Sequence, residues 1–409
     1  MGRAQAKALG CPDLPIAVVP HPFGIRSRDE IRQLAERCVD DVARLSCESV
    51  RQDSSVVQGA SSSAVRAALI EAPEELDEFN RFSYERRWGD GLMVTPPTPD
   101  RVTRMLRHTR RAPDEVVATI APGFGAATVE RIAINAVLAG CYPEYLPILI
   151  AATEAVAEPK FHLQGIQTST SPAAVWLIIN GPIVQRLEVN SGGNCLGPGT
   201  WANATLGRAM QMILRNIGGA LPGEMDRATH GQPGKYTFCC AENEEASPWE
   251  PLHVERGFAP DCSTVTVVGA SGMSNLLTHA KDAGDLVRVI AGTMTVPASH
   301  VYSGEPWLIL SPEHAHILKR DGLNKAEVKR RLWEHSKMLG SRQIAKDLAR
   351  TREARRAELG EIGADTLIPI SVRPEDISIV VAGGAGIQSI YVSIPAHMRS
   401  VTREVTVSR

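Results

Sequence analysis

An α/β fold with mixed sheets and flanking helices is what the chain predicts, from three observations. Short runs rich in Val, Ile, Leu and Trp alternate with longer stretches of helical periodicity. Glycine and proline punctuate the joints between them. At 409 residues and 43% hydrophobic, the chain exceeds one ordinary domain and carries enough apolar surface for sizeable cores. Aromatic residues make up only 5%, so aliphatic side chains must do most of the packing.

The elements follow in order. Residues 1–47 read as one compact unit, the closing βα part of a small domain: Pro15 to Pro20 is a short buried strand and His21-Pro22-Phe23-Gly24 a turn. Ser27 then caps a helix, and Glu30 three residues on completes a capping box. Ile31, Leu34, Cys38, Val39, Val42 and Leu45 continue that helix at helical spacing. Residues 48–80, rich in Ser, Gln and Glu, read as a linker, and a large α/β domain spans 81–409. Within it, Gly89-Asp90-Gly91 and Thr95 to Pro99 form a rigid loop, and Pro99 to Arg107 begins a helix. Thr128 to Leu138 and Leu146 to Val156 are apolar helices. Ala173 to Asn180 and Thr264 to Val268 are buried strands, joined by Trp307 to Leu310 and Ile377 to Ala382. A helix, a strand with Trp176 and then Gly181-Pro182 are echoed by Leu286 to Ile290, a strand with Trp307 and Ser311-Pro312, which raises two related halves. Lys325 to Glu358 holds 11 basic and 5 acidic residues at helical spacing and reads as a solvated surface helix.

Composition excludes several function classes. Lys+Arg 44 against Asp+Glu 46 leaves no basic excess for a nucleic-acid surface. The longest apolar runs, such as Tyr145 to Ala152, are too short to cross a bilayer. The first residues lack the apolar core of a secretory signal, so a cytoplasmic address is expected, with the eight cysteines as free thiols.

Chemistry concentrates between Asn180 and Phe258. Asn190-Ser191-Gly192-Gly193-Asn194-Cys195-Leu196-Gly197-Pro198-Gly199 places four glycines in residues 192–199, which lets backbone amides face a ligand without obstruction by Cβ atoms. Thr200 or Asn203 can cap the helix that follows, so a phosphate, carboxylate or oxyanion is expected at its start. Asn190, Asn194 and Asn203 add side-chain amides, and Arg208 lies one turn or so further on. Cys195, in this loop near a helix N-terminus, is placed for a lowered thiol pKa and is a candidate nucleophile. Neither GxGxxG nor a Walker loop is present, so no nucleotide is implied.

The second stretch runs from His230-Gly231-Gln232-Pro233-Gly234-Lys235-Tyr236 to Glu242-Asn243-Glu244-Glu245. Three carboxylates within four residues repel one another unless a cation, a proton or solvent relieves them, and Lys235 or His253 can supply the partner. Cys239-Cys240 read as two ordinary strand thiols. Asp90 and Glu130 are further acid/base candidates, although Asp90 can simply cap the turn between its glycines. No HExxH or CxxC spacing occurs, so no metal is expected, and no cofactor can be named. One common pocket for the glycine loop and the acidic stretch is the central expectation.

With these residues in view, the chain resembles the family named for a selenocysteine-Gly-Ser-Cys (UGSC) motif. Residues 3–47, especially RAQAKALGCPDLPIAVVPHPFG, resemble the end of its small domain. Residues 87–260 resemble the accompanying large domain through RWGDGLMVTPPTPDRV, NSGGNCLGPGTWANATLGRA, HGQPGKY and ENEEASPWEPLHVERGF. The likeness extends more weakly through PEHAHILKRDG to about residue 325. The redox motif itself, which lies upstream of the segment corresponding to Arg3, has no counterpart here. The resemblance therefore implies a truncated product, a separately encoded subunit, or a derivative without that centre, and a protein partner carrying the motif.

The resemblance also implies a reductive, thiol- or selenol-linked reaction. The expected protein is an enzyme, or enzyme subunit, acting on a small polar or anionic molecule. A cofactor-independent lyase or hydratase using the same residues, and a non-catalytic partner subunit, are the alternatives.

Overall fold

The computed structural model of the protein describes residues 2–20, 26–47, 66–296, 304–395 and 398–406. Along the chain, α1 (Gly2–Ala8), α2 (Arg28–Cys47), α3 (Leu76–Glu85) and α4 (Pro99–Leu106) lead into a hairpin of β1 (Val116–Ile120) and β2 (Gly125–Thr128). There follow α5 (Val129–Ala139), α6 (Leu146–Ala157), α7 (Leu163–Thr168), β3 (Ala174–Asn180), α8 (Ile183–Arg186), α9 (Trp201–Asn216) and β4 (Cys239–Ala241). Next come α10 (Leu252–Glu255), β5 (Thr264–Ala270), β6 (Gly272–Leu277), α11 (Ala283–Met294), β7 (Trp307–Leu310), α12 (Pro312–Arg320) and α13 (Lys325–His335). The chain closes with β8 (Lys337–Leu339), α14 (Ala345–Leu359), β9 (Leu367–Pro369), β10 (Ser378–Val381), β11 (Gln388–Ser393) and β12 (Val401–Glu404). The fold is α/β, as the alternation of runs predicts.

Two four-stranded sheets form its centre, in the orders β12-β5-β3-β4 and β6-β11-β7-β10. Their pairing patterns coincide. In each, a central strand has a parallel edge neighbour (β3 with β4, β7 with β10) and an antiparallel neighbour (β5 or β11), which in turn pairs antiparallel with the far edge strand. The far edges are exchanged. β6 follows β5 along the chain yet joins the second sheet, and β12 follows β11 yet joins the first.

The period of two along each strand sorts its side chains into separate cores. From β3, Ala174, Trp176 and Ile178 pack in one cluster with Cys240 and Val268 of their own sheet and Trp307, Ile309, Val380 and Val392 of the other. Val175, Leu177 and Ile179 enter the opposite cluster with α5, α6 and α9. Leu308, Leu310, Ile379 and Val381 likewise pack against α11, α12 and α13. The result is four layers, helix–sheet–sheet–helix, with the two sheets face to face at the middle.

Several expectations require correction. Pro15 to Pro20 forms no strand, and Val18 and Val19 are exposed: two prolines remove two donors from a six-residue run, and no described strand lies alongside to pair with it. The turn at 21–24 lies outside the described residues, as does 48–65 of the expected linker. The other end of that linker is too long, because α3 starts at Leu76 and buries Phe79 in the main core. The capping box at Ser27 is present: Glu30 N–H donates to Ser27 Oγ at 3.3 Å and Ser27 N–H to the Glu30 carboxylate at 2.7 Å. The stripe that follows is largely open, with Val39 and Val42 exposed, so the unit is less compact than its periodicity suggested. The basic segment at 325–358 is two helices rather than one solvated one. Lys325 and Lys329 are buried and both grip the Glu255 carboxylate, and Arg355 is buried against the carbonyls of Pro369 and Ser371. Among the described residues no helix is long and apolar enough to cross a membrane.

Candidate functional site

The carboxyl ends of both parallel strand pairs converge on one rim, the position where open α/β sheets leave room for ligands. Three loops meet there. The Asn243 N–H donates to Val381 O at 2.7 Å, tying the end of β4 to the end of β10, and the Gly383 N–H donates to Ser191 O at 2.8 Å, tying the loop after β10 to the glycine loop. The two loops touch backbone to backbone. A Cβ placed on Gly384 would stand 2.9 Å from Gly193 Cα, so only glycine allows this approach. A cleft of about 740 Å³ opens here, lined by Gly192, Asn243, Gly383 and Gly384, by Pro312 at the start of α12 and by Arg320 at its end.

Inside the glycine loop the polar side chains hold the loop rather than face a ligand. Asn203, buried on α9, donates to Asn190 O at 2.8 Å and to Cys195 O at 2.9 Å and accepts from the Asn190 N–H at 2.8 Å. Asn190 Oδ1 accepts from the Gly192 N–H at 2.8 Å, and Asn190 Nδ2 donates to Gly193 O at 3.0 Å. Asn194, with a φ of 58°, donates to Pro198 O at 2.6 Å, and the space a Cβ on Gly197 would need is filled by its side chain. Gly199, with a φ of 123°, turns the chain into α9, where Thr200 is the cap residue without a side-chain cap bond. These asparagines therefore hold the loop: their local hydrogen bonds fold residues 190–199 into one bend.

That bend carries a sulfur. Cys195 is buried in the cluster between the sheets, and Cys240 packs in the same cluster. Cys240 pulls the Cys195 thiol below the ordinary range against the opposing effect of burial, and the amides of Cys195, Leu196 and Gly383 pull in the same direction. The cost appears on the partner. Cys195, together with burial, pushes Cys240 well up, while the Trp176 indole acts in the opposite sense. Because adjacent strand residues face opposite ways, Cys239 points into the helix-side core and takes no part. Cys240 is the functional candidate that strand reading passed over. The run Gly383-Gly384-Ala385-Gly386 after a buried strand was the other available signal.

The acidic stretch reaches the same rim and turns Glu242 and Glu244 inward, while Glu245 is exposed. Asn180, at the end of β3, donates to Glu242 at 2.7 Å and to Glu244 at 2.9 Å; the Leu252 N–H donates to Glu242 at 2.7 Å and the Gly181 N–H to Glu244 at 2.7 Å. His253, fully buried, has Nδ1 3.7 Å from Glu244 and Nε2 3.4 Å from Pro260 O. Burial pushes the Glu242 carboxyl up, against the opposing influence of Lys325, the Leu252 amide and Asn180. Asn180 Oδ1, Glu242 Oε1, His253 Nδ1 and Thr264 Oγ1 are buried without a hydrogen-bond partner, and Thr264 is the register partner of Asn180 across β5. Of the acidic stretch, Asn243 rather than Glu242 or Glu244 lines the cleft. Among the described residues, no group of three or more His, Cys, Asp or Glu is placed to hold a metal ion.

The remaining expected residues lie elsewhere. Lys235, His230, Gly231 and Asp90 line a second cavity, of about 620 Å³, that shares no lining residue with the first. Arg208 grips Asp90 in a fork, Nε to Oδ2 at 2.7 Å and Nη2 to Oδ1 at 2.8 Å, while Asp90 also caps its own turn through the Leu92 N–H. Lys235 is paired with Asp226 at 2.5 Å, not with the acidic stretch. Glu130, buried, is bound by Arg66 and the Ala67 N–H. The glycine loop and the acidic stretch do meet in space, but Lys235 and His230 are not part of that meeting.

Comparison with known proteins adds one match. Residues 1–48 match the model of the UGSC family, consistent with a UGSC-type protein. No curated protein and no solved structure matches the chain.

Proposed function

We propose that the protein is a thiol-linked enzyme of reductive type that takes a small polar or anionic substrate into the cleft between the glycine loop and Gly383-Gly384. One observation carries this reading: Cys195 and Cys240 are buried in one cluster between the sheets, behind the loops of the cleft, and Cys240 with the amides of Cys195, Leu196 and Gly383 lowers the Cys195 thiol. Amides that favour the thiolate also favour negative charge developing on a substrate held nearby.

The step balances with two electrons. The Cys195 thiolate bonds to the electrophilic atom of the substrate; Cys240 then attacks the Cys195 sulfur, releasing the substrate two electrons richer and leaving a Cys195–Cys240 disulfide. The two thiol protons go to the product. An external thiol, either a small molecule or one carried by a protein partner, reduces the disulfide again.

Peptide mapping by mass spectrometry tests it. Limiting hydrogen peroxide on the full chain should join Cys195 to Cys240 and spare Cys141 and Cys239, and dithiothreitol should reverse this. Oxidation that leaves this pair as thiols while other cysteines react would sink the proposal, as would a reductive activity that survives Cys195→Ser.

A further inference from the structure

The second cavity holds a cation that its own walls compensate only in part. It is bounded by the C-terminal half of α9 and by the segment 220–236. Four charged side chains line it, Asp90, Arg215, Asp226 and Lys235. Three of them are already paired, since Asp90 has the Arg208 fork and Asp226 has Lys235. Arg215 makes no salt bridge among the described residues; its charge is offset only by the pull of Asp90, which the Arg208 fork already holds, and its Nε is buried without a hydrogen-bond partner. Burial disfavours the Arg215 charge, and an anion supplied from solution would offset that.

The neutral lining specifies the rest of the ligand. Gln211 donates its Nε2 hydrogens to Val175 O at 2.9 Å, and Gln232 donates to Pro172 O and Ala270 O, both at 2.8 Å. Each amide is thereby fixed with its oxygen as the remaining acceptor. The cavity therefore pairs one under-compensated cation with two amide oxygens as acceptors, those of Gln211 and Gln232. A bare phosphate satisfies the cation but meets the acceptors with lone pairs. A carboxylate that also carries a hydroxyl or ammonium group satisfies both.

We propose that this cavity is a second ligand site, distinct from the thiol cleft, that binds a small hydroxy- or aminocarboxylate through Arg215. The volume of about 620 Å³ accommodates a molecule of that size together with water. The site does not depend on the thiol reading, because no residue of the first cleft contributes to it.

Isothermal titration of the full chain decides it, with L-malate and L-glutamate as probes and succinate and inorganic phosphate as comparisons. Malate or glutamate should bind more tightly than both comparisons, and Arg215→Gln should weaken that binding about tenfold or more, the scale of one lost charge-assisted contact. Arg288→Gln removes an equal charge from an exposed position on α11 and should leave the affinity unchanged. If Arg215→Gln proves unfolded by circular dichroism, Arg215→Lys, which keeps charge but loses the planar fork, should weaken binding several-fold. No binding of either probe, phosphate binding as tightly as they do, or unchanged affinity in the folded Arg215 variant would each overturn the proposal.

Discussion

The indole of Trp176 meets that of Trp307 edge to face, ring centroids 5.7 Å apart and planes at 75°, and the two rings come from the central strands of different sheets. Both are fully buried, so this contact sits at the middle of the four-layer stack. Replacing either by Ala should cost about 3–5 kcal/mol, and a double-mutant cycle should return a coupling of about 0.5–1.5 kcal/mol. Trp307→Phe should cost far less than Trp307→Ala, because the Trp307 Nε1 hydrogen is buried with no acceptor and its removal relieves a penalty. Urea denaturation of the four variants, the double mutant included, measures all of this.

Cys195 should alkylate with iodoacetamide at a pH below that of an ordinary thiol, since its neighbours hold the thiolate form. Cys240→Ala removes the largest of those influences and should move the midpoint of the rate–pH curve upward. A midpoint unmoved by this substitution would show that Cys240 does not assist.

Glu242 gives a pH dependence of stability. Its carboxyl is pushed above the ordinary value of 4.5 by burial, so the contribution it makes when protonated is complete below about pH 4.5 and is lost as pH rises through the raised folded value. Glu242→Gln keeps an acceptor for Asn180 and Leu252 and removes the titration. The variant should therefore gain on the parent as pH rises above about 4.5, as read by denaturation midpoints.

Asp90 has the opposite sign. Burial would raise its carboxyl, yet the Arg208 fork more than offsets this and leaves it below 3.8. Its contribution is present above the unfolded value and lost as pH falls through the folded one. Arg208→Lys replaces a bidentate pair by a point contact and should cost about 1–3 kcal/mol at neutral pH, with the difference shrinking in acid.

Gly384→Ala tests the contact between the two glycine loops. The added methyl would press on Gly193 Cα at 2.9 Å and N at 3.3 Å, so one loop must yield. A loss of about 1–3 kcal/mol is expected, with slower alkylation of Cys195 as the Gly383 amide is carried away from the sulfur.

Much of the fold is legible in the residues, and the failures have physical causes. Ala173 to Asn180 and Trp307 to Leu310 announce themselves because central strands are apolar on both faces, and the structure ends them within a residue of the expected bounds. Gly272–Leu277 and Val401–Glu404 are edge strands with exposed polar residues such as Asn275 and Arg403, so no apolar run marks them. At the site, the glycine loop and the acidic stretch are visible as clusters of unusual residues. Which way their side chains turn is not, because Asn203 and Asn180 act on positions that only the sheet brings near. Lys235 and the carboxylates are close in sequence, yet Lys235 takes Asp226, nine residues back, and closes a different cavity.

The exchange of outer strands has a further consequence. Each half of the sandwich is finished by a strand belonging to the other, so a cut between Met294 and Trp307 would leave two fragments, each with a raw sheet margin. Expressed apart, such pieces should be poorly folded. Mixed, they should reassemble into a non-covalent pair that melts once, as a single cooperative body.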